Sequence, residues 1–519
     1  REMMKTRRIL TMTSGLVILG TAALTSQALA ATPKTCPSGL EADEPTVPLS
    51  IEQADINSGA LRFDEINDHG ELLFVTKFNI CDGSGRPETT GGGDKRAVPV
   101  TSEEGEAVSA GQITKLRTSA PDSDACAGCH NDPAPGAAGD FVANVFVLAQ
   151  ALDPVTMSVS SARSNSRNTL GMHGAGPIEM LAREMTMDLQ EQFEDLPGDG
   201  THVLTTKGVE FEIVVDGGEV VHAQGIDHDL IVKPFHQAGK VISLREFSAN
   251  AMNHHHGMQA EERFDLNPAK GYDMDYDNDG YQRELTIGDL TAISIWQAQL
   301  GTPIQVIPTK KADRDQVARG EAVFTDIGCG GCHVPEMTLE SRYFVEPNPF
   351  NPPGPCSSAA DGCMDFAFAM TKTGDGPRLE KGPNGTAVVR AYTDLKRHNL
   401  CDEPGPGAIR WFCNEQLSQG RPDQDGKPGT EYFLTRKLWD VGNTAPYGHR
   451  GDISTITEAI LLHGGEGRES RDAFETSSAD DQKALVAFLK TLQVPTDDAL
   501  TGSKRKAKGS LRVGNAQSQ

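Results

Sequence analysis

The sequence predicts a mainly α chain with β insertions, organised as two halves that each carry one Cys-x-x-Cys-His motif. Three observations predict this class. The two motifs, Cys126-Ala-Gly-Cys129-His130 and Cys329-Gly-Gly-Cys332-His333, lie far apart along the chain. Apolar residues recur at helical spacing in segments on either side of each motif. Gly (54) and Pro (30) are plentiful among 519 residues while aromatics reach only 6%, which suits long loops wrapped around large cofactors rather than a dense aromatic core. At roughly 100–200 residues per domain, such a chain holds three domains or two large ones.

The elements follow in order. Lys5, Arg7 and Arg8 precede an apolar stretch at 9–24 and the triplet Ala28-Leu29-Ala30. That pattern predicts a secretory signal peptide over residues 1–30, cut after Ala30, and hence an exported, periplasmic protein. No later apolar run is long enough to span a bilayer. Residues 31–120 mix strand-like runs, such as Glu71-Leu72-Leu73-Phe74-Val75, with Gly/Pro-rich loops. Residues 142–152 read as a short helix, and 178–194 as a longer one behind Gly176-Pro177. Residues 209–221 read as a hairpin around Asp216-Gly217-Gly218. Helical spacing returns at 286–300. A polar stretch at 309–314 marks the best domain boundary, and a helix at 316–324 leads into the second motif. Residues 338–430 read as loops, 455–463 and 479–492 as helices, and everything beyond 494 as a polar, basic tail. The expected organisation is a signal peptide (1–30), an N-terminal domain with β-rich insertions (31–312), a C-terminal domain (313–495) and a disordered tail (496–519).

Cys-x-x-Cys-His is the attachment signal of a c-type haem. Two thiols one turn apart add to the two vinyl groups of a porphyrin, and the adjacent His reaches the iron. Cys126, Cys129, Cys329 and Cys332 therefore predict two covalently bound c-type haems with His130 and His333 as iron ligands. The fold class becomes two cytochrome c-like haem domains. The other six cysteines make an even set in an oxidising compartment. Proximity suggests Cys356–Cys363 and Cys401–Cys413, leaving Cys36–Cys81. The formal net charge of -25 argues against nucleic-acid binding and suits steering of a basic partner.

The acidic segment Asp273-Met274-Asp275-Tyr276-Asp277-Asn278-Asp279-Gly280-Tyr281-Gln282-Arg283-Glu284 is a calcium-loop candidate. Alternating Asp residues present hard oxygens to one cation. A register from Asp275 puts Gly280 sixth but lacks a twelfth-position Glu. A register from Asp273 puts Glu284 twelfth but has Asn278 sixth. The candidates are Asp273, Asp275, Asp277, Asp279 and Glu284.

The segment from Leu438-Trp439-Asp440 through Ala445-Pro446-Tyr447-Gly448-His449-Arg450-Gly451 resembles the C-terminal part of bacterial di-haem cytochrome c peroxidases. With Glu458-Ala459-Ile460-Leu461-Leu462-His463-Gly464-Gly465-Glu466 and Asn253-His254-His255-His256-Gly257-Met258-Gln259, the chain resembles more closely the di-haem oxidoreductase family of peroxidases, also labelled thiol oxidoreductases. The resemblance covers most of residues 120–495. It implies reduction of hydrogen peroxide, with electrons delivered through the C-terminal haem by a small redox protein, a cytochrome c or a cupredoxin. The peroxidases carry a Met ligand on the helix after the Ala-Pro-Tyr motif. The matching run here ends in His463, which implies His463 opposite His333, with His449 as a rival. For the first haem, His254, His255, His256 and Met258 stay open as sixth ligand. Gly176-Pro177-Ile178-Glu179-Met180 resembles the stretch that supplies the peroxidases' distal acid, which makes Glu179 the catalytic candidate. The family peroxidases also hold calcium between their haem domains. Trp296 and Trp439 are candidates for the space between the haems. Two other functions remain: an electron-transfer cytochrome without a substrate, and a di-haem oxygenase or protein-modifying enzyme.

Overall fold

A computed structural model describes residues 32–36, 40–85, 123–139, 142–144, 166–264, 281, 283–352, 366–372, 378–414, 431–496 and 506–507. The expected signal peptide, the acidic loop up to Gly280, and Cys356 and Cys363 lie outside these residues. The described chain forms helices joined by small antiparallel sheets. The helices are α1 (Gln53–Ser58), α2 (Phe63–Val75), α3 (Ala175–Glu194), α4 (Leu244–Ala251), α5 (Glu261–Phe264), α6 (Ile287–Gln299), α7 (Lys311–Asp326), α8 (Ile456–Leu461), α9 (Arg468–Thr476) and α10 (Ala479–Leu489). No described helix is long and apolar enough to cross a membrane.

Two close helix pairs flank the Cys-x-x-Cys-His turns. The buried α6 starts at a reciprocal cap, with Thr286 Oγ1 accepting from Asp289 N at 3.0 Å and Asp289 Oδ2 from Thr286 N at 3.1 Å. It packs on α2 so closely that a Cβ on Gly70 would lie 2.2 Å from Ala292 O. The pair α7 and α10 repeats the device: a Cβ on Gly320 would lie 2.0 Å from Ala484 O. Only glycine lets the backbones approach this far.

The strand-like run Glu71–Val75 turns out to be the last turn of α2. Its buried positions Ile66, Gly70, Leu73 and Phe74 follow helical spacing, and that spacing outweighs the β preference of the short run. The expected helix at 142–152 begins instead as the strand Val142–Asn144, paired with Ser166–Asn168. The hairpin expected at 209–221 is present and gains a third strand. Gly200–Thr206 pairs with Val209–Asp216, which pairs with Glu219–Ala223 through an irregularity at Val214/Val215. Residues 338–430 contain short strands that loop composition did not reveal, among them Met337–Leu339, Ala387–Val389 and Arg397–Asn399. Within the tail, Lys506–Ala507 pairs with Ile304–Ile307.

One apolar cluster includes residues of both expected domains, from Ile178 and Phe211 to Trp439 and Phe488. A second holds Val47, Leu73, Phe78, Met252, Met258 and Leu290. Disulfides join Cys401 to Cys413, as proximity suggested, and Cys36 to Cys81, the pair that the other assignments left over.

Candidate haem centres

The first motif forms a tight turn, Cys126–Gly128. His130 follows it into the interior, where Phe74 lies 6.1 Å away and Trp296 lies 4.5 Å beyond Phe74, centroid to centroid. Burial, then the nearby His255, pushes the His130 imidazole down to about 4 against the carbonyls of Ala137 and Leu170. The histidine cluster reaches this motif from a single π-helical turn, Met252–His256, which Gly257 closes at φ 73°. His256 is 1% exposed. Its Nδ1 lies 2.5 Å from Ser123 O and its Nε2 3.3 Å from Cys126 Sγ. Ser123 N in turn donates to His255 O. The structure therefore brings His255 and His256 to the first motif. His254 lies beside Arg263, at 3.3 Å, and Met258 is fully buried in the second apolar cluster.

The second motif caps α7. Gly328, at φ 85°, turns the chain from the helix into Cys329–Gly331. His333 Nδ1 lies 3.1 Å from Tyr392 O. His463, just past α8, has its Nδ1 2.8 Å from Ala459 O. Each ring thus spends one nitrogen on a backbone carbonyl, which fixes the tautomer and leaves Nε2 for a metal. Burial, then the nearby His463, pushes His333 down to about 4. Phe412 packs 5.7 Å from His463. The rival His449 sits 6.1 Å from the same Phe412 and 5.0 Å from Phe433. Burial, then Arg167 and Arg450, pushes it down to about 3. Backbone contacts hold the His463 turn in place: Gly464 N donates to Leu400 O, and a Cβ on Gly465 would lie 2.3 Å from Asn399 O.

Sequence reasoning missed a charged group beside this turn. His398 Nε2 lies 2.8 Å from Asp394 Oδ2, and its Nδ1 2.7 Å from Glu466 Oε2. Cys332 Sγ lies 3.9 Å from the same Nδ1. Cys332, Asp394 and His398 are close enough together to suit a metal ion, but both ring nitrogens of His398 already face carboxylates. The only signal in the sequence was Asp394 and His398 four apart in a stretch read as loop.

Glu179 is fully buried on α3. Its Oε1 accepts from Asn348 Nδ2 at 2.9 Å and from Arg183 at 3.1 Å, and its Oε2 from Leu244 N at 2.8 Å. Burial raises its pKa against these donors. Nearby, Glu346 accepts from Arg245 at 2.9 Å, and burial pushes it up to about 7. The structure thus joins Glu179 to α4 and to the chain around Asn348; its described partners do not include the Cys-x-x-Cys-His residues. Of the calcium candidates, only Glu284 is described. It is 1% exposed, and its Oε2 accepts from Gln259 N at 2.5 Å. Trp296 and Trp439 are both buried.

The residues fit two haems. Each motif has its thiols unbridged, and His333 and His463 both keep Nε2 clear of the carbonyls that hold Nδ1. The paired motifs, each with a partly buried histidine, are a donor set suited to two haem groups. Residues 408–492 match the family described as "Di-haem oxidoreductase, putative peroxidase", and through this segment the chain is similar to the di-haem oxidoreductases. It is also 26% identical over 209 residues to the cytochrome-c peroxidase IdrP2 of Pseudomonas sp. (strain SCT), across 39% of this chain and 50% of that protein. The chain thus spans about half the length of that curated relative. Among solved structures, the hydrazine synthase of Kuenenia stuttgartiensis under xenon pressure aligns over 92% of this chain and 100% of its own, at 12% identity and a TM-score of 0.32.

Proposed function

We propose that the protein is a periplasmic c-type di-haem peroxidase with two cytochrome c-like haem domains, residues 31–312 and 313–495, that reduces hydrogen peroxide to two waters with two electrons and two protons. The observation that carries this reading is that His333 and His463 lie near each other with their ring orientations fixed. Each imidazole is oriented by a backbone carbonyl through Nδ1. Such a pair suits a permanently closed iron for electron entry. Bound haem would supply the redox equivalents and, at the first motif, a coordination position that peroxide can take. The chain does the rest. The first motif is faced by His255 and His256, carried on a single π turn closed by glycine, which can yield more easily than a helix interior. Glu179, buried and with a raised pKa, is the acid that we assign to proton transfer between the peroxide oxygens. The acidic loop bearing Asp273, Asp275, Asp277 and Asp279 holds calcium, and a small basic redox protein delivers electrons to this acidic chain.

The test is a UV–visible and EPR titration of the purified protein with hydrogen peroxide, before and after partial reduction. The expected result is one low-spin iron and one high-spin iron that responds to peroxide. A second reading, a di-haem electron carrier, is favoured by the two imidazoles already beside the first motif. Two low-spin irons in every redox state, with no response to peroxide, would establish it instead.

A further inference from the structure

A buried polar cluster lies where the surroundings of the two motifs meet. On one side, Met172 N donates to Gly136 O at 2.7 Å, so residues 170–173 run along the chain that follows His130. His173 comes next, with Nδ1 3.1 Å from Gly301 O. On the other side, Leu438 N donates to Ala391 O at 3.0 Å, one residue before the Tyr392 carbonyl that orients His333. The two sides touch at Gly174: a Cβ there would lie 2.2 Å from Trp439 Cζ2.

Four polar side chains are enclosed at this junction. His173 is 7% exposed, Lys437 9%, Trp439 0% and Asp440 1%. Among the described residues, His173 Nε2, Trp439 Nε1 and Asp440 Oδ1 are buried without a hydrogen-bond partner. Each such atom gives up its hydration without a replacement bond, so three together point to a group that completes them. The charges point to its sign. Asp440 Oδ2 is paired with Arg436 at 3.1 Å. Arg436 and Lys437 together exceed Asp440 by one positive charge; burial and then Arg436 push Lys437 down to about 8, with Asp440 opposing them. A buried charge is retained where an opposite charge meets it.

We propose that Lys437 and Trp439 bind a haem propionate at this junction. A propionate brings one negative charge, which balances Lys437, and two acceptor oxygens, which take the Lys437 ammonium and the Trp439 Nε1–H. His173 Nε2 and Asp440 Oδ1, both acceptors when His173 donates Nδ1–H to Gly301, suit a water at the carboxylate's edge. A carboxylate carried on a covalently attached ring pays no separate entry cost into an enclosed site, as a free anion would. The inference rests on the di-haem reading.

The experiment uses the full chain matured with its haems, and a haemochrome count of the wild type tests the di-haem reading separately. Lys437→Gln, Lys437→Arg and Trp439→Phe are compared by spectroelectrochemistry and by the propionate bending bands in resonance Raman spectra. A cation beside a haem favours its reduced form. Lys437→Gln is therefore expected to lower one haem's reduction equilibrium by about tenfold, about 59 mV for one electron, and to shift one propionate band. Lys437→Arg should restore the potential. Trp439→Phe, which keeps the ring packing and loses only the N–H, should shift the same band, and it decides the matter if Lys437→Gln fails to mature. Unchanged bands and potentials in variants that retain both haems overturn the proposal. So does a wild-type potential that follows added phosphate or chloride while the bands stay fixed, because a solution anion then fills the site.

Discussion

His398 Nδ1 lies 2.7 Å from Glu466 Oε2, and this contact ties the turn that carries His463 to the strand Arg397–Asn399 beside Cys332. Glu466 also accepts from Asn399 N at 2.8 Å, through its other oxygen. With Asp394 on the opposite ring nitrogen, the imidazole is held between two carboxylates. Burial alone would lower its pKa, yet hydrogen bonds to Asp394, Cys332 and Glu466 push it up to about 12. His398 is thereby held as a cation between two carboxylates beside the second motif.

Replacing Glu466 by Ala should therefore loosen His463. The expected outcome is a high-spin fraction at the second haem and a loss of about 1 kcal/mol in stability, modest because the carboxylate is partly exposed. Glu466→Gln can still accept from Asn399 N and should recover the low-spin spectrum in part. The sign of the pH effect follows from the raised pKa of His398. Its stabilisation is full below the unfolded value of about 6.5 and is lost as pH rises toward 12. The gap in melting temperature between wild type and His398→Gln should narrow with rising pH over that range. A constant gap from pH 6 to 10 would remove His398 from this role.

Covalent attachment gives a direct count. Acid–acetone should extract no haem from the wild type, and a pyridine haemochrome assay should return two haems per chain. Cys126→Ala and Cys329→Ala should each lose or destabilise one. Full stoichiometry in either variant would contradict attachment at that motif.

What the sequence revealed and what it hid divide along physical lines. The Cys-x-x-Cys-His turns were legible because their chemistry lies within five consecutive residues. α3, α6, α7 and the hairpin at 209–221 were legible because burial imposes a period on each. The run Leu72-Leu73-Phe74-Val75 misled because a short apolar segment suits strand and helix alike; contact with α6 decides it. His398 and Glu466 stand 68 positions apart in sequence, so their pairing is a product of the fold alone. His173, Lys437 and the Glu179–Glu346 neighbourhood were hidden for the same reason. The resemblance of Gly176–Met180 to the peroxidases' distal-acid stretch named Glu179 as a candidate acid, but only the structure supplies its three donors.

Glu346 offers a pH test away from the motifs. It is 1% exposed, and burial pushes it up to about 7 against Arg245, with the nearby Glu179 adding to the rise. The unfolded chain ionises this group near 4.5, so the folded state holds the proton longer. Stability linked to Glu346 is thus full below about pH 4.5 and declines as pH rises through about 7. Chemical denaturation of wild type and Glu346→Gln across pH 4–8 should show a falling difference in that window. Parallel curves would mean that Glu346 ionises in the folded chain as it does in the unfolded one.

Glu179 carries two separable properties, and glutamine divides them. As a hydrogen-bond acceptor it anchors α3 to Leu244 N and Asn348. As a buried acid it holds a transferable proton more readily than an exposed carboxyl does, because burial opposes its ionisation. Gln keeps an acceptor oxygen and nearly the same volume, but it leaves Arg183 without its carboxylate partner and has no proton to give. If proton transfer is its role, peroxide turnover should fall by about 10²–10⁴-fold while haem count and the second haem's potential stay at wild-type values. If anchoring is its only role, turnover per folded molecule should hold and the loss should appear as a lower melting temperature. Pre-steady-state rates normalised to haem content separate the two outcomes. Asn348→Ala supplies the control: it removes one donor from Glu179 Oε1 but leaves the acid in place, so it should lower stability with a much smaller effect on the rate.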